Sequence, residues 1–459
     1  DMGLGDDEIS ITFGSESVQT FANANLTKLD GGAGQDTISY GNSANPSGVA
    51  LTLTTAGATN FENLIGTADA ETITGDDNAN YLAGCGFVCT KAVSDTVNGG
   101  GGNDIVLAAF RVGGSGNLSL GGSYTRFSTI KSYWPYANNY TTEGTFRNGS
   151  ASYFSSSGNH TLNGGSGDDI LFGAEGEDAL DGGTGQDNLI GGRGIDTFVI
   201  RAGDGSTTLS EADVIQDFKD DTDLIGLDGG LQFSDLTIEQ GTGNYAHMIL
   251  ILITSTGEYM AVMHTQGQNG EATITSSDIT AADFVSTSTA DQTFSGTSGS
   301  DTFIGGAGSD TFTTGVGTDV IYGHGGDDTI TINGSGSKTI NGGGGTDSLI
   351  ISYSGITSLG DFVITVDGDY KVLTDANGGV IKYKSIENLT VGNYSYTFTG
   401  TETNGDNVIN GYVSTSEKAL YLLPDSSTSY RFSSNAAAQF EQVFGTKESC
   451  ITDDYAIIG

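Results

Sequence analysis

The sequence is short of positive charge. Only 16 lysines and arginines stand against 57 aspartates and glutamates, a formal net charge of −41 over 459 residues. That balance excludes nucleic acid as a partner, because phosphates would be repelled, and it works against anionic membrane surfaces. Proline occurs three times beside 73 glycines. A collagen-like chain needs far more proline and a glycine at every third position, so that class is excluded. No apolar run approaches the ~18 residues of a membrane span, so no membrane insertion is expected. The six-residue run "MILILI" at 248–253 reads as a buried strand. Catalytic signatures are missing too. His160, His247, His264 and His324 are followed by Thr, Met, Thr and Gly, which leaves no H-E-x-x-H zinc motif, and neither a G-x-S-x-G elbow nor a C-x-x-C pair occurs. The chain is therefore read as non-enzymatic.

Acidity alone would suit a disordered tail, but 36% hydrophobic residues with 19 Tyr and 21 Phe do not. Such a chain can fold once cations neutralise its carboxylates. Length allows two to four domains. The chain opens on Asp1 with no visible signal peptide, which suits either a mature form or a fragment.

What is present is a beat. Residues 164–198 divide into GGSGDDILF, GAEGEDALD, GGTGQDNLI and GGRGIDTFV, the pattern G-G-x-G-x-D-x-U-x with U apolar. Asp169, Asp178, Asp187 and Asp196 fall nine apart, and Leu171, Leu180, Leu189 and Phe198 follow each by two. A second run at 296–331 places Asp301, Asp310, Asp319 and Asp328 on the same beat, and "GGGGTDSLI" adds Asp347. The N-terminal third is degenerate: Asp7, Asp36 and Asp104 hold the acidic position, while Glu71 and Asn80 replace aspartate. Glycines allow left-handed turns that gather carbonyls, and each aspartate adds a hard anionic oxygen. Carbonyls and carboxylates from neighbouring turns suit Ca²⁺, which takes six to eight oxygens. The D-x-U residues form a short strand with U facing inward. Nine residues then make half a coil, eighteen a full one, and repeat n stacks on repeat n+2. Asp169 and Asp187 should share one edge, and Asp178 and Asp196 the other.

Tandem motifs of this kind resemble the RTX (hemolysin-type calcium-binding nonapeptide repeat) family of bacterial secreted and cell-surface proteins. The resemblance implies an all-β fold. Parallel β-roll solenoid segments would alternate with β-rich capping or sandwich-like modules, and rows of calcium ions would lie between stacked turns. It also implies type I secretion and an extracellular or cell-surface location. One buried apolar side chain per nine ordered residues is a thin core, so calcium binding is expected to drive folding. Asp217 and Asp223, in "ADVIQDFKDDTDLIGLDG" (212–229), sit in a segment like the one that follows such repeats; both a further ion site and a solvated acidic turn suit them.

The expected layout is a degenerate roll over 1–106, an aromatic and basic insertion over 107–158, and a roll over 159–200. A capping module over 201–286, a second roll over 287–352 and a C-terminal β module over 353–459 complete it. "FENLIGT" and "IENLTVG" (61–67 and 386–392) echo one another and suggest a duplicated module. Lys338 stands at an aspartate position, so that turn is expected to bind no calcium, its ammonium taking the ion's place. His160, nine before Asp169, is read as an end cap. Cys85 and Cys89 suit either a disulfide or two free thiols, and Cys450 is left over. The 107–158 segment carries Trp134 and four basic residues. It suits either an insertion packed on its own roll or a contact surface for a second subunit or a glycan. Two functions follow. One is a calcium-dependent structural protein that self-associates at a bacterial surface, as a surface-layer, sheath, filament or adhesin component. The other is the calcium-folding carrier region of a secreted enzyme or toxin.

Overall fold

The computed structural model describes residues 4–11, 29–40, 50–54, 58–85, 94–109, 158–264 and 274–399, with short strands at 411–414, 419–422 and 456–458. Nearly all of the 107–158 insertion, Cys89 and Cys450 lie outside these residues. The fold is all-β, with only single 3-10 turns among the described residues and no helix long and apolar enough to cross a membrane. It divides into two compact units, residues 1–231 with 235–284, and residues 285–459 with 232–234.

The first unit is two facing parallel sheets wound from one continuous coil. One sheet runs Glu8–Ser10, Thr37–Ser39, Asn63–Ile65, Tyr81–Cys85, Ile105–Ala109, Ile170–Glu175, Asn188–Arg193, Asp213–Ile215. The other runs Leu51–Thr52, Thr72–Thr74, Thr96–Gly101, Thr161–Ser166, Ala179–Thr184, Thr197–Arg201, Leu224–Asp228. Register follows the repeat: Leu162 pairs with Leu180, Leu180 with Phe198, and Leu171 with Leu189. Alternation points these side chains between the sheets, where Leu162, Leu171, Leu180 and Phe198 are fully buried.

The rolls expected separately over 1–106 and 159–200 stack as one. Val97 pairs with Leu162 and Val106 with Leu171, so the coil resumes in register across a sequence separation of 65 rather than 18. An insertion at a turn leaves both flanking strands their partners, which is why the stack tolerates it. The roll also runs past 200, because Asp213–Ile215 and Leu224–Asp228 repeat the acid-x-apolar pattern without the glycines. An antiparallel meander then ends it: Glu258–His264 pairs with Asp213–Ile215, Met248–Ile253 with Glu258–His264, and Leu236–Gln240 with Met248–Ile253. The expected "MILILI" strand is the middle of this meander.

The second unit repeats the plan. Thr293–Ser295, Thr311–Thr313, Thr329–Ile332, Ser348–Ile351 and Asn388–Val391 form one parallel stack, and Thr302–Ile304, Asp319–Tyr322, Lys338–Asn341 and Val380–Lys384 the other. The roll expected to stop at 352 therefore reaches 391. A meander, Phe362–Asp367 on Tyr370–Asp375 on Val380–Lys384, is looped out within its last coil. One core joins roll and meander, from Phe312, Ile321, Ile330, Ile340 and Leu349 to Leu373, Ile381 and Tyr383.

Replacing Leu180 by alanine is expected to cost about 2–5 kcal/mol in the calcium-loaded protein, the range for a buried leucine that leaves a cavity. Ile195→Ala, at a side chain 47% exposed, should stay within about 0.5 kcal/mol. Denaturant unfolding of both variants checks the contrast.

Candidate metal centres

Each repeat aspartate lies at the inner rim of its turn, nearly always buried although charged groups rarely are. The burial has a common geometry. One carboxylate oxygen accepts the backbone N–H of the equivalent residue one coil earlier: Asp104 N–H to Asp169 at 2.6 Å, Asp169 to Asp187 at 2.7 Å, Asp178 to Asp196 at 3.0 Å, and Asp196 to Asp223 at 3.1 Å. The second roll repeats it, with Asp301 N–H to Asp319 at 3.0 Å, Asp310 to Asp328 at 2.7 Å and Asp328 to Asp347 at 2.9 Å. At the N-terminus Asp7 N–H reaches Asp36 at 2.8 Å. Two ladders run along each roll, and Asp169 and Asp187 occupy one edge with Asp178 and Asp196 on the other, as the eighteen-residue coil requires.

The other oxygen carries the electrostatics. Oδ2 of Asp36, Asp104, Asp178, Asp187, Asp328 and Asp347 is buried and accepts no hydrogen bond. Burial without a donor disfavours the charged form, and neighbouring carboxylates add to it. Asp178 is pushed up to about 8, first by desolvation and then by Asp196. Desolvation raises Asp104, Asp187, Asp196 and Asp328 to about 7. These are carboxylates arranged for a cation.

The surrounding backbone fits one. Gly173 has no side chain, and the space a Cβ would take lies 2.5 Å from Asp178 Oδ2 and 2.6 Å from the Gly191 carbonyl. The glycine opening each repeat faces its own aspartate in the same way, as Gly164 faces Asp169 and Gly182 faces Asp187. Gly167 and Gly185, at φ of 129° and 136°, turn the chain through the left-handed region so that successive turns stack. Among the described residues no three His, Cys, Asp or Glu side chains converge on one point. Each site thus offers a carboxylate and backbone carbonyls, a hard oxygen set suited to calcium. A bound Ca²⁺ supplies the charge that offsets the buried carboxylates; the aspartates also hold the stacked turns together through the ladder.

Several residues depart from the expected roles. His160 is no end cap: it is an internal rung, its Nδ1 accepting the Asp95 N–H at 3.1 Å while its own N–H is donated to Asp178 at 2.7 Å. The coil continuing through Asp95 places it mid-stack. Asp217 lies off the ladder, accepting from Gly191 and Gly192 N–H at 3.0 and 2.9 Å, and burial pushes it up to about 8. The rung is Asp213, which receives the Asp187 N–H at 2.9 Å. Asp223 is a rung whose second oxygen is already occupied by the Lys219 N–H at 2.8 Å. Asp301, in the first coil, receives the Thr297 N–H at 2.7 Å.

Glu62 and Glu387 were not expected. They accept the N–H groups of Asp36 at 2.8 Å and Asp347 at 2.7 Å, so glutamate fills a rung. The signal was in the echo: "ENL" in both segments is acid-x-apolar without the glycines. Glu71 and Asn80 are rungs as expected, donating their N–H to Asp95 and Asp104. Cys85 is disulfide-bonded.

These features define a class, a parallel β-roll whose stacked glycine turns bind calcium. The particular repeat is the RTX calcium-binding nonapeptide repeat, whose family model matches four times, at residues 94–109, 154–189, 163–198 and 295–330. The chain carries RTX repeats, and such repeats bind multiple calcium ions and mark secreted bacterial proteins. The matched stretches are well under half of the chain, and the coils at 4–85 and 338–391 extend the roll beyond them. No curated protein matches the chain. Among solved structures, the extracellular lipase LipA from Serratia marcescens is similar at 16% identity, over 51% of this chain and 37% of the lipase, with a TM-score of 0.16. The chain thus spans little more than a third of that lipase, and at this score the likeness carries no argument about activity.

The raised carboxyls set a pH dependence. A group moved from 3.8 to about 7–8 binds its proton more tightly folded than unfolded, so the calcium-free fold gains stability as pH falls from 8 towards 4. Because those protons already stabilise the fold, while the unfolded carboxylates near 3.8 bind almost none at either pH, the calcium midpoint for folding should be lower at pH 5.5 than at pH 7.5, and calcium-free protein should show more β structure at the lower pH. Circular dichroism titrations at both values test this, and coincident midpoints would contradict it.

Proposed function

We propose that this protein is a calcium-dependent structural component of a bacterial cell surface, a surface-layer, sheath, filament or adhesin protein that folds and self-associates outside the cell. The observation that supports it most is the extent of the roll. Stacked coils and their capping meanders account for both units among the described residues, and the repeat carboxylates build the ladders along them. The reading gives the chain no catalytic role. Millimolar extracellular calcium folds the roll, whereas submicromolar cytosolic calcium leaves it loose enough for export. Residues 107–158 are rich in Tyr and Arg and carry Trp134, residue types enriched at interfaces, which supports reading them as the contact for a neighbouring copy or a surface glycan.

Electron microscopy with and without calcium tests the reading. Ordered sheets or fibres are expected on adding calcium, and deleting 110–157 should abolish them while leaving the calcium-induced dichroism intact. Calcium-folded protein that stays monomeric at every concentration would overturn it and favour a carrier region of a secreted enzyme or toxin.

A further inference from the structure

One turn of the second roll is neutralised without metal. Lys338 occupies the ladder position, pairing with Asp319 across the stack, and its side chain is fully buried. Its Nζ lies 2.9 Å from Asp319 Oδ2, donates to the Gly317 carbonyl at 2.8 Å, and lies 3.4 Å from the Ser335 carbonyl. One carboxylate oxygen and two turn carbonyls are the donor set that the neighbouring turns offer a cation. Asp319 N–H, which elsewhere would find the next carboxylate, goes to the Ser337 carbonyl at 3.0 Å. The following turn is also closed without metal: Asp375 accepts the Tyr353 hydroxyl at 2.9 Å on one oxygen, and the N–H groups of Asn377 and Gly379 at 2.7 and 3.0 Å on the other. Beside these turns stands the antiparallel meander Phe362–Lys384, whose Leu373, Ile381 and Tyr383 are buried in the same core as Ile321 and Ile340.

We propose that the Lys338 ammonium permanently replaces a calcium ion, and that the sheet built from Asp319–Tyr322, Lys338–Asn341 and the meander Phe362–Lys384 is a calcium-independent folding nucleus on which the calcium-requiring turns of the second unit, those of Asp328 and Asp347 among them, assemble. A tethered cation neutralises Asp319 at any calcium concentration, so this part of the coil escapes the repulsion that keeps other turns unfolded. Breaking a buried pair from one side leaves an uncompensated charge, so the effect of removing the ammonium is large. The proposal rests on calcium-coupled folding of the remaining coils, not on assembly, and the control segment below tests that premise separately.

The test is hydrogen exchange read by mass spectrometry on the full chain, in excess EGTA and in millimolar calcium. In EGTA, amides of 319–322, 338–341 and 362–384 should exchange at least tenfold more slowly than those of 161–193, the control from the first unit. Lys338→Met should make 319–322 and 338–341 exchange at least tenfold faster than wild type in EGTA. Lys338→Asp should do the same in EGTA yet recover slow exchange on adding calcium, having become an ordinary repeat. An aspartate is compatible with the extra residue of this coil, since Asp347 follows Asp328 by the same 19 residues. The proposal is overturned if wild-type 319–322 and 338–341 exchange as fast as 161–193 in EGTA, if Lys338→Met keeps their protection, or if Lys338→Asp stays unprotected in calcium. Slow exchange of 161–193 in EGTA would instead remove the calcium-coupling premise.

Discussion

Chelating calcium from the full chain at pH 7.5 is expected to abolish most of its β signal in circular dichroism, and restoring millimolar calcium to return it. The expectation follows from what the ladder buries. Along the first unit Asp104, Asp178, Asp187 and Asp196 are nearly inaccessible, and each is held to its neighbours by a single carboxylate oxygen. Without a cation at pH 7.5 each of these turns must either bury a charge or take up a proton against bulk pH, and both oppose folding. The apolar stripe of one side chain per half-coil does not offset that penalty together with the entropy of ordering a glycine-rich chain. The first unit should lose its structure cooperatively, because each rung supports the next, while residual signal comes from the meander of the second. A first unit that keeps its β structure through exhaustive chelation would refute calcium-coupled folding.

The second large effect is expected from Asp178→Asn. Asparagine keeps an oxygen to accept the His160 N–H, now at 2.7 Å, so the ladder bond survives. It removes a carboxylate pushed up to about 8, whose charged form is what the calcium-free fold cannot accommodate. The calcium-free protein should therefore be more stable than wild type at pH 8, whereas the calcium-loaded protein should be less so. Calcium affinity at that turn should fall at least tenfold, about 1.4 kcal/mol. Asp178→Ala, which loses the ladder bond as well, should destabilise both states. Thermal melts with and without calcium separate the cases: an Asp178→Asn variant that melts like wild type in both would show that the carboxylate serves the ladder alone.

The repeat itself was legible. Asp169, Asp178, Asp187 and Asp196, with their leucines, gave the coil length, the stacking of alternate repeats and the two edges. Lys338 was legible as an ion's substitute because it interrupted a regular series. Glu62, Glu387 and Asp213 were harder to read, because their turns lack the glycines and only the acid-x-apolar triplet remains. His160 misled for the opposite reason: it stood first in an unbroken run, and nothing local showed that Asp95, 65 residues earlier in sequence, lay beneath it.

The sequence by itself determined the period, the fold class and the calcium chemistry, since these are local: a turn's glycines, its carboxylate and its apolar residue lie within nine positions. Tertiary structure alone decided that the coils on either side of 107–158 are one roll, and that the meanders belong inside the last coils. It also settled which acid serves as each final rung. Those outcomes depend on pairing between strands far apart in sequence, where backbone hydrogen bonds accept any insertion that leaves both edges in register, and no local pattern records which edges meet.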